Sequence, residues 1–313
     1  MQIIEWDGRQ ISKPGCYSKI PLPTYHRGDI CVGPSVSSSS FRKVFCPKMG
    51  GSPAHYWAYS PLNPKRLPEP EKEAFIIGRA LHHLALGEPF FNKLFVQQPD
   101  EINGRPWSGA GCDPKAREKW KAEQATLGKT ILKGEQIDRL VGMSEQMGKN
   151  PEISDGLLAG YIERSLFWVD KETGLWFKAR PDSIPRADFQ FSDLKITTST
   201  HWYEMQKTIY DWGYFMQAAL VGEGCQHVFG QPMTSFTFVF VEHHAPYCVD
   251  TVPLKDNDLA RGHAANHQAA RKIAHGLKTG EWPGPGGVGL RPIEMSERAQ
   301  KSIDEQLQFG EQQ

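Results

Sequence analysis

One segment limits the fold more than any other. Residues 174–198 read GLWFKARPDSIPRADFQFSDLKITT, two short runs rich in aromatic and β-branched residues, joined by a turn. Pro181-Asp182 follows the first run, and Asp193-Leu194-Lys195 lies inside the second. Strand side chains alternate faces, so Asp193 and Lys195 share one face of the sheet. If the two runs pair as a hairpin, Asp182 approaches Asp193. Two carboxylates and an ammonium then converge, the minimum needed to hold a divalent cation beside a phosphodiester. Magnesium suits such a set because it is a hard cation that prefers carboxylate and water oxygens.

The charge balance neither forces nor forbids that chemistry. With 36 basic and 36 acidic residues the formal net charge is zero, which argues against a protein that merely coats nucleic acid. A nuclease remains open, because an acidic metal site offsets local basic patches. At 313 residues the chain is long enough for one large domain or two smaller ones. No apolar run approaches the roughly 18 residues of a membrane span. The opening MQIIEWDGRQ has no signal-peptide layout, so the expectation is a soluble cytoplasmic protein without a membrane partner. Cys16, Cys31, Cys46, Cys112, Cys225 and Cys248 are scattered with no CxxC pair. That spacing excludes the usual zinc-ribbon and iron–sulfur patterns and predicts inert reduced thiols.

Residues 1–35 read as a mostly irregular arm. Ser37–Ser40 offer N-caps to a short helix ended by Pro47. In SPAHYWAYSPLNP the aromatics from Tyr56 read as core, with base stacking at a DNA end as the rarer use of such a cluster. EKEAFIIGRALHHLAL has helical apolar spacing, and its adjacent His82 and His83 point about 100° apart. A basic helix over PKAREKWKAEQATLGK carries Lys115 and Lys119, either phosphate contacts or a solvated face. Strands follow from Gly160, where Glu163 is a third candidate acid or an exposed strand glutamate. One long helix is expected over Trp202–Gly222, then two strands flanking Ala245-Pro246 and a helix from Asp256 to Gly276. Helices on both sides of a strand cluster predict an α/β core. On the last of these helices His263 and His267 stand at i, i+4 without the glutamate of a zinc-hydrolase HExxH, so they read as surface or packing histidines. WPGPGGVG reads as a linker before a terminal amphipathic helix.

These residues together resemble the PD-(D/E)XK nucleases, and within them the phage and prophage exodeoxyribonuclease VIII (RecE-type) exonucleases. The resemblance runs from about Tyr25 to Pro283. It rests on Tyr25-His26, the Ser37–Ser40 helix start, Ser52-Pro53-Ala54-His55-Tyr56, Gly78-Arg79-Ala80-Leu81-His82, Arg180-Pro181-Asp182 and Asp193-Leu194-Lys195-Ile196-Thr197. The family's Gln-x-x-x-Tyr is matched at Gln217 but ends in Val221, and Tyr214 precedes the glutamine as a candidate DNA contact.

The resemblance implies a restriction-endonuclease-like core, a central mixed β-sheet flanked by helices, over 71–283. An N-terminal helical and irregular extension would occupy 1–70, and a linker with a C-terminal helix 284–313. It implies catalysis by Asp182, Asp193, Lys195 and Gln217. The metal would be held by His82, Asp182, Asp193, the Leu194 carbonyl and Glu163, with Mg2+ as the cofactor and Mn2+ as its substitute. The implied activity is degradation of one strand of duplex DNA from its 5′ end by a ring-shaped homo-oligomer, leaving 3′ tails for a RecT-like annealing protein in a bacterial or phage-infected cell. Two alternatives are a Cas4- or RecB-like nuclease without an iron–sulfur cluster and a non-catalytic DNA-binding protein on the same fold.

Overall fold

The computed structural model describes residues 2–68, 73–87, 91–108, 111–162, 164–186, 188–287, 290 and 292–310. The N-terminal arm contributes regular structure that the sequence did not suggest: strands β1 (Ile3–Glu5) and β2 (Gly15–Ser18), the turn of helix α1 (Leu22–Tyr25), and β3 (Ser35–Ser37). The serine run does start a helix, α2 (Ser38–Phe45), where Ser40 Oγ accepts the Ser37 N–H at 3.3 Å. Ser52 caps α3 (Pro53–Tyr59), accepting the His55 N–H at 3.3 Å.

Helix α4 (Glu73–Ala85) and α5 (Phe91–Leu94) lead into short strands β4 (Phe95–Gln97), β5 (Glu101–Ile102) and β6 (Arg105–Pro106). Next come α6 (Pro114–Thr126), β7 (Thr130–Leu132), α7 (Gly134–Lys149) and α8 (Pro151–Ser154). The strand-rich half holds β8 (Tyr161–Ile162), β9 (Ser165–Val169), β10 (Trp176–Ala179), β11 (Ser183–Ile184) and β12 (Gln190–Thr197). After them run α9 (Trp202–Asp211), α10 (Tyr214–Phe229), β13 (Ser235–Glu242), β14 (Val249–Pro253), α11 (Asp256–Thr279) and α12 (Glu297–Gly310).

The expected hairpin does not form. The first run, β10, belongs to a five-stranded mixed sheet of order β1-β2-β9-β10-β3, while the second, β12, belongs to a three-stranded sheet of order β12-β13-β14. β10 is buried along its whole length and takes β9 and β3 as neighbours. β12 runs parallel to β13 from Gln190 opposite Ser235 to Thr197 opposite Glu242. Parallel strands need a long crossover, which α9 and α10 provide. Beside the other edge of β12 lies the two-residue β11, itself paired with β8.

The three-stranded sheet lies between two apolar layers. Phe191, Phe236, Phe238 and Phe240 pack with residues of α2, α10 and α11, and Leu194, Val239 and Val241 pack with residues of α4 and α7. Alternation along β12 therefore turns Asp193 and Lys195 toward α10 and Leu194 toward α4.

The single helix expected over 202–222 is two, broken at Gly213. Gly213 has φ +64°, and a Cβ there would stand 2.5 Å from Cys46 Sγ. Only glycine combines that left-handed backbone with that close approach. The break starts α10 afresh at Tyr214, so Tyr214 and Gln217 occupy its first turn.

Trp282, at the start of the expected linker, stacks on Trp57 with centroids 4.4 Å apart, and the Ala54 N–H donates to the Pro283 carbonyl at 3.1 Å. Residues 288 and 289 of that linker lie outside the described residues. All six cysteines are free thiols. Burial pushes Cys16 and Cys225 up to about 11 and Cys31 to about 12, as expected of inert thiols. Among the described residues no helix is long and apolar enough to cross a membrane.

Candidate active site

The site is built on the free edge of β12. There the Leu194 N–H donates to Asp182 Oδ2 at 2.7 Å, and the Leu194 carbonyl faces His82 Nε2 at 3.1 Å. His82 Nδ1 stands 3.3 Å from Asp182 Oδ1. An edge strand normally leaves such backbone groups to water or to another chain; here a carboxylate from the loop before β11 and an imidazole from α4 take them. Asp182 and Asp193 thus approach each other without the hairpin that was expected to join them.

The side chains of β12 complete the cluster. Asp193, 1% exposed, accepts a hydrogen bond from Gln217 Nε2 on Oδ1 at 2.6 Å and an ion pair from Lys195 Nζ on Oδ2. Tyr214 lies with its ring centroid 4.9 Å from the Lys195 ammonium. Its other contacts are Phe238, Phe240 and the Arg42 guanidinium. Tyr214 therefore shapes the lysine's surroundings, which the sequence reading as a DNA contact did not include.

Charge in this pocket is unevenly shared. Burial raises the Asp182 pKa, yet the His82 and Lys195 charges and the Leu194 N–H more than reverse that and hold it below the usual carboxylate range. Burial, then repulsion from Asp182, pushes Asp193 up, with Lys195 opposing. Two close carboxylates split in this way because ionising one disfavours the other. Burial would lower Lys195 and His82, but the neighbouring carboxylates raise both. Lys195 is thus an ammonium at neutral pH, suited to orienting water or offsetting phosphate charge rather than to removing a proton.

The donor set fits a divalent cation. Asp182, Asp193 and the Leu194 carbonyl supply hard oxygens and His82 an imidazole, and the two carboxylates, one buried and one part-buried, outnumber the one lysine. Both nitrogens of His82 face oxygens, Nδ1 that of Asp182 and Nε2 that of Leu194.

The remaining expected residues stand elsewhere. Glu163 lies outside the described residues. Lys115 and Lys119 are exposed on α6, which packs on β7. His83 turns away from the cluster and meets the edge of Phe95, ring centroids 5.8 Å apart. Tyr25 packs under Lys178 and Arg180, 5.3 and 5.8 Å from its ring centroid, which ties the N-terminal Tyr-His to the strand preceding Asp182. The sequence reading missed Arg42, which spans α2 and the α9–α10 break by donating to the Trp212 carbonyl at 3.1 Å. Only tertiary structure could reveal a contact between residues 170 positions apart.

The fold agrees with what the chain is similar to. A solved structure of a presumed exonuclease from Eubacterium rectale shares the fold, with TM-score 0.57 and 13% identity over 88% of this chain and 96% of that one. A phage-related exonuclease from Haemophilus somnus 129PT aligns over 56% of this chain and 91% of its own at 15% identity, but its TM-score of 0.31 carries no structural argument. No curated protein matches. A family match spans residues 37–289, which takes in α2, β10, β12, α10 and every member of the edge cluster. On that match the chain belongs to the family described as PDDEXK-like domain of unknown function (DUF3799).

Proposed function

We propose that the protein is a magnesium-dependent exodeoxyribonuclease that hydrolyses one strand of linear duplex DNA. The observation that carries this reading is the meeting of His82, Asp182, Asp193, Lys195 and Gln217 around one backbone edge. His82, Asp182, Asp193 and the Leu194 carbonyl would hold the ion. When bound, such an ion supplies a more acidic water and neutralises charge on the phosphoryl transition state. Lys195 orients the attacking water and stabilises charge growing on the phosphate oxygens. Tyr214 and Asp193 keep its ammonium in place, and Gln217 fixes the Asp193 carboxylate. The P–O bond opposite the incoming water then breaks, leaving a phosphate on one product and a hydroxyl on the other.

The finer reading is 5′ to 3′ digestion by a ring-shaped homo-oligomer that threads the duplex, producing 3′ tails for a RecT-like annealing protein. Its support is the resemblance of the motif set to RecE-type enzymes. In a ring the neutral overall charge is tolerable, because only the channel wall needs to be basic. Duplexes labelled separately at each 5′ and 3′ end test activity, end requirement and polarity together. The expected result is magnesium-dependent release from 5′ ends alone. Equal cutting of a covalently closed circle would replace the exonuclease with an endonuclease.

A further inference from the structure

His263 and His267, which the sequence left as surface or packing residues, meet a third group that it could not place. Glu223, on α10, points its Oε2 at both rings, 3.6 Å from His263 Nε2 and 3.3 Å from His267 Nε2. The three ligand atoms all lie within 4.8 Å of one another. We infer that Glu223, His263 and His267 form a zinc site, separate from the nuclease centre, that clamps α10 to α11.

Three observations favour an ion over an ordinary salt bridge. The two Glu223 spacings, 3.3 and 3.6 Å, are near what zinc needs: with zinc–ligand bonds of about 2.0–2.1 Å, neighbouring ligands of a tetrahedral ion stand roughly 3.3–3.4 Å apart. The charge is right as well. The two rings lie 4.4 Å apart, centroid to centroid, so two imidazolium ions would repel, whereas one cation between neutral imidazoles satisfies both rings and the carboxylate.

The surroundings are also built to orient the ligands. Trp168 Nε1 donates to Glu223 Oε1 at 3.2 Å, leaving Oε2 for the ion. Asp170 Oδ1 and Glu172 Oε2 lie 3.9 and 3.8 Å from His267 Nδ1, beyond hydrogen-bond reach but on the side where carboxylates back metal-bound histidines. The Glu223 side chain is 6% exposed and that of His263 55%, so the site is anchored inside and open at one corner, where water would fill the fourth position. Imidazole and carboxylate donors in a small tetrahedral space select zinc over magnesium. Glu223 lies six residues beyond Gln217 on α10, about 9 Å along the axis and turned onto another face.

The test is zinc retention by the full chain after chelation, reloading with Zn2+ and desalting, read by elemental analysis alongside the thermal midpoint. The parent and an Asp182→Asn/Asp193→Asn variant should each keep one zinc ion and gain stability from it. His263→Ala, at an exposed position, and Glu223→Gln, which can still accept from Trp168, should bind zinc more weakly. The loss should exceed the roughly 10–100-fold typical of removing an outer hydrogen-bond partner. Far-ultraviolet circular dichroism checks that these variants fold. Zinc retained equally by His263→Ala and Glu223→Gln, zinc lost only from the Asp182→Asn/Asp193→Asn variant, or no zinc kept by the parent would each overturn the assignment.

Discussion

Lys178 and Lys195 sit on the two runs of the segment 174–198, the first buried and the second part-buried, yet the protein treats their charges in opposite ways. Lys195 has the Asp193 carboxylate in contact and Asp182 nearby, and its pKa is raised despite burial. Lys178 has neutral hydrogen-bond acceptors, the Arg27 carbonyl at 2.6 Å and Ser35 Oγ at 3.1 Å, beside the Tyr25 ring. Burial lowers it to about 8, with Cys31 and Asp29 opposing. The carboxylate in the Lys195 pocket holds that proton against the burial that loosens the proton of Lys178. The difference separates a lysine paired within the carboxylate cluster from one that ties the N-terminal segment to β10.

The comparison breaks most visibly in activity. Lys195→Ala should slow digestion of linear duplex DNA by roughly 10²–10³-fold, measured as initial rates at saturating magnesium, while Lys178→Met leaves that rate within a few-fold. Equal losses from both would erase the distinction. Gln217→Ala frees Asp193 Oδ1 and should cost about 10–100-fold in activity or magnesium affinity, read from the magnesium dependence of the rate.

Gly213→Ala tests the helix break that delivers Gln217 and Tyr214. The left-handed backbone alone should cost about 1–2 kcal/mol, with the contact to Cys46 adding to it, seen as a lower urea midpoint.

The last effect is a slope. The folded Lys178 binds its proton less tightly than the unfolded chain, whose model value is 10.5. Between pH 8 and 10.5 the unfolded state therefore holds more protons, and stability rises with pH. Below about 8 the cost of burying the charge is present in full. Denaturation midpoints of wild type and Lys178→Met across that range should converge or cross as pH rises. Parallel curves would show that Lys178 is not the group responsible.

The sequence made the chemistry of β12 legible because it is local. Alternation alone places Asp193 and Lys195 on one face, and the serine caps of α2 and α3 follow from short-range hydrogen bonding. What it hid is what depends on distant partners. β12 pairs with a strand 45 residues later in register, so the nearer β10 was the natural but wrong neighbour. The apolar pattern runs on through Gly213, and the break there depends on Cys46, far back in the chain. Glu223 reaches the histidines of α11 only through helix packing, and no i, i+4 spacing can announce a ligand from another helix.

The free edge of β12 has a consequence for handling the protein as well as for its chemistry. Asp182 and His82 occupy the Leu194 N–H and carbonyl, which would otherwise be open to strand addition from a second molecule. The residues proposed to hold the metal also keep the strand from recruiting its own kind. Truncating them to alanine should therefore raise aggregation as well as stop hydrolysis. Asp182→Asn keeps a carbonyl acceptor for the Leu194 N–H and is the better choice for an inactive protein that stays dispersed.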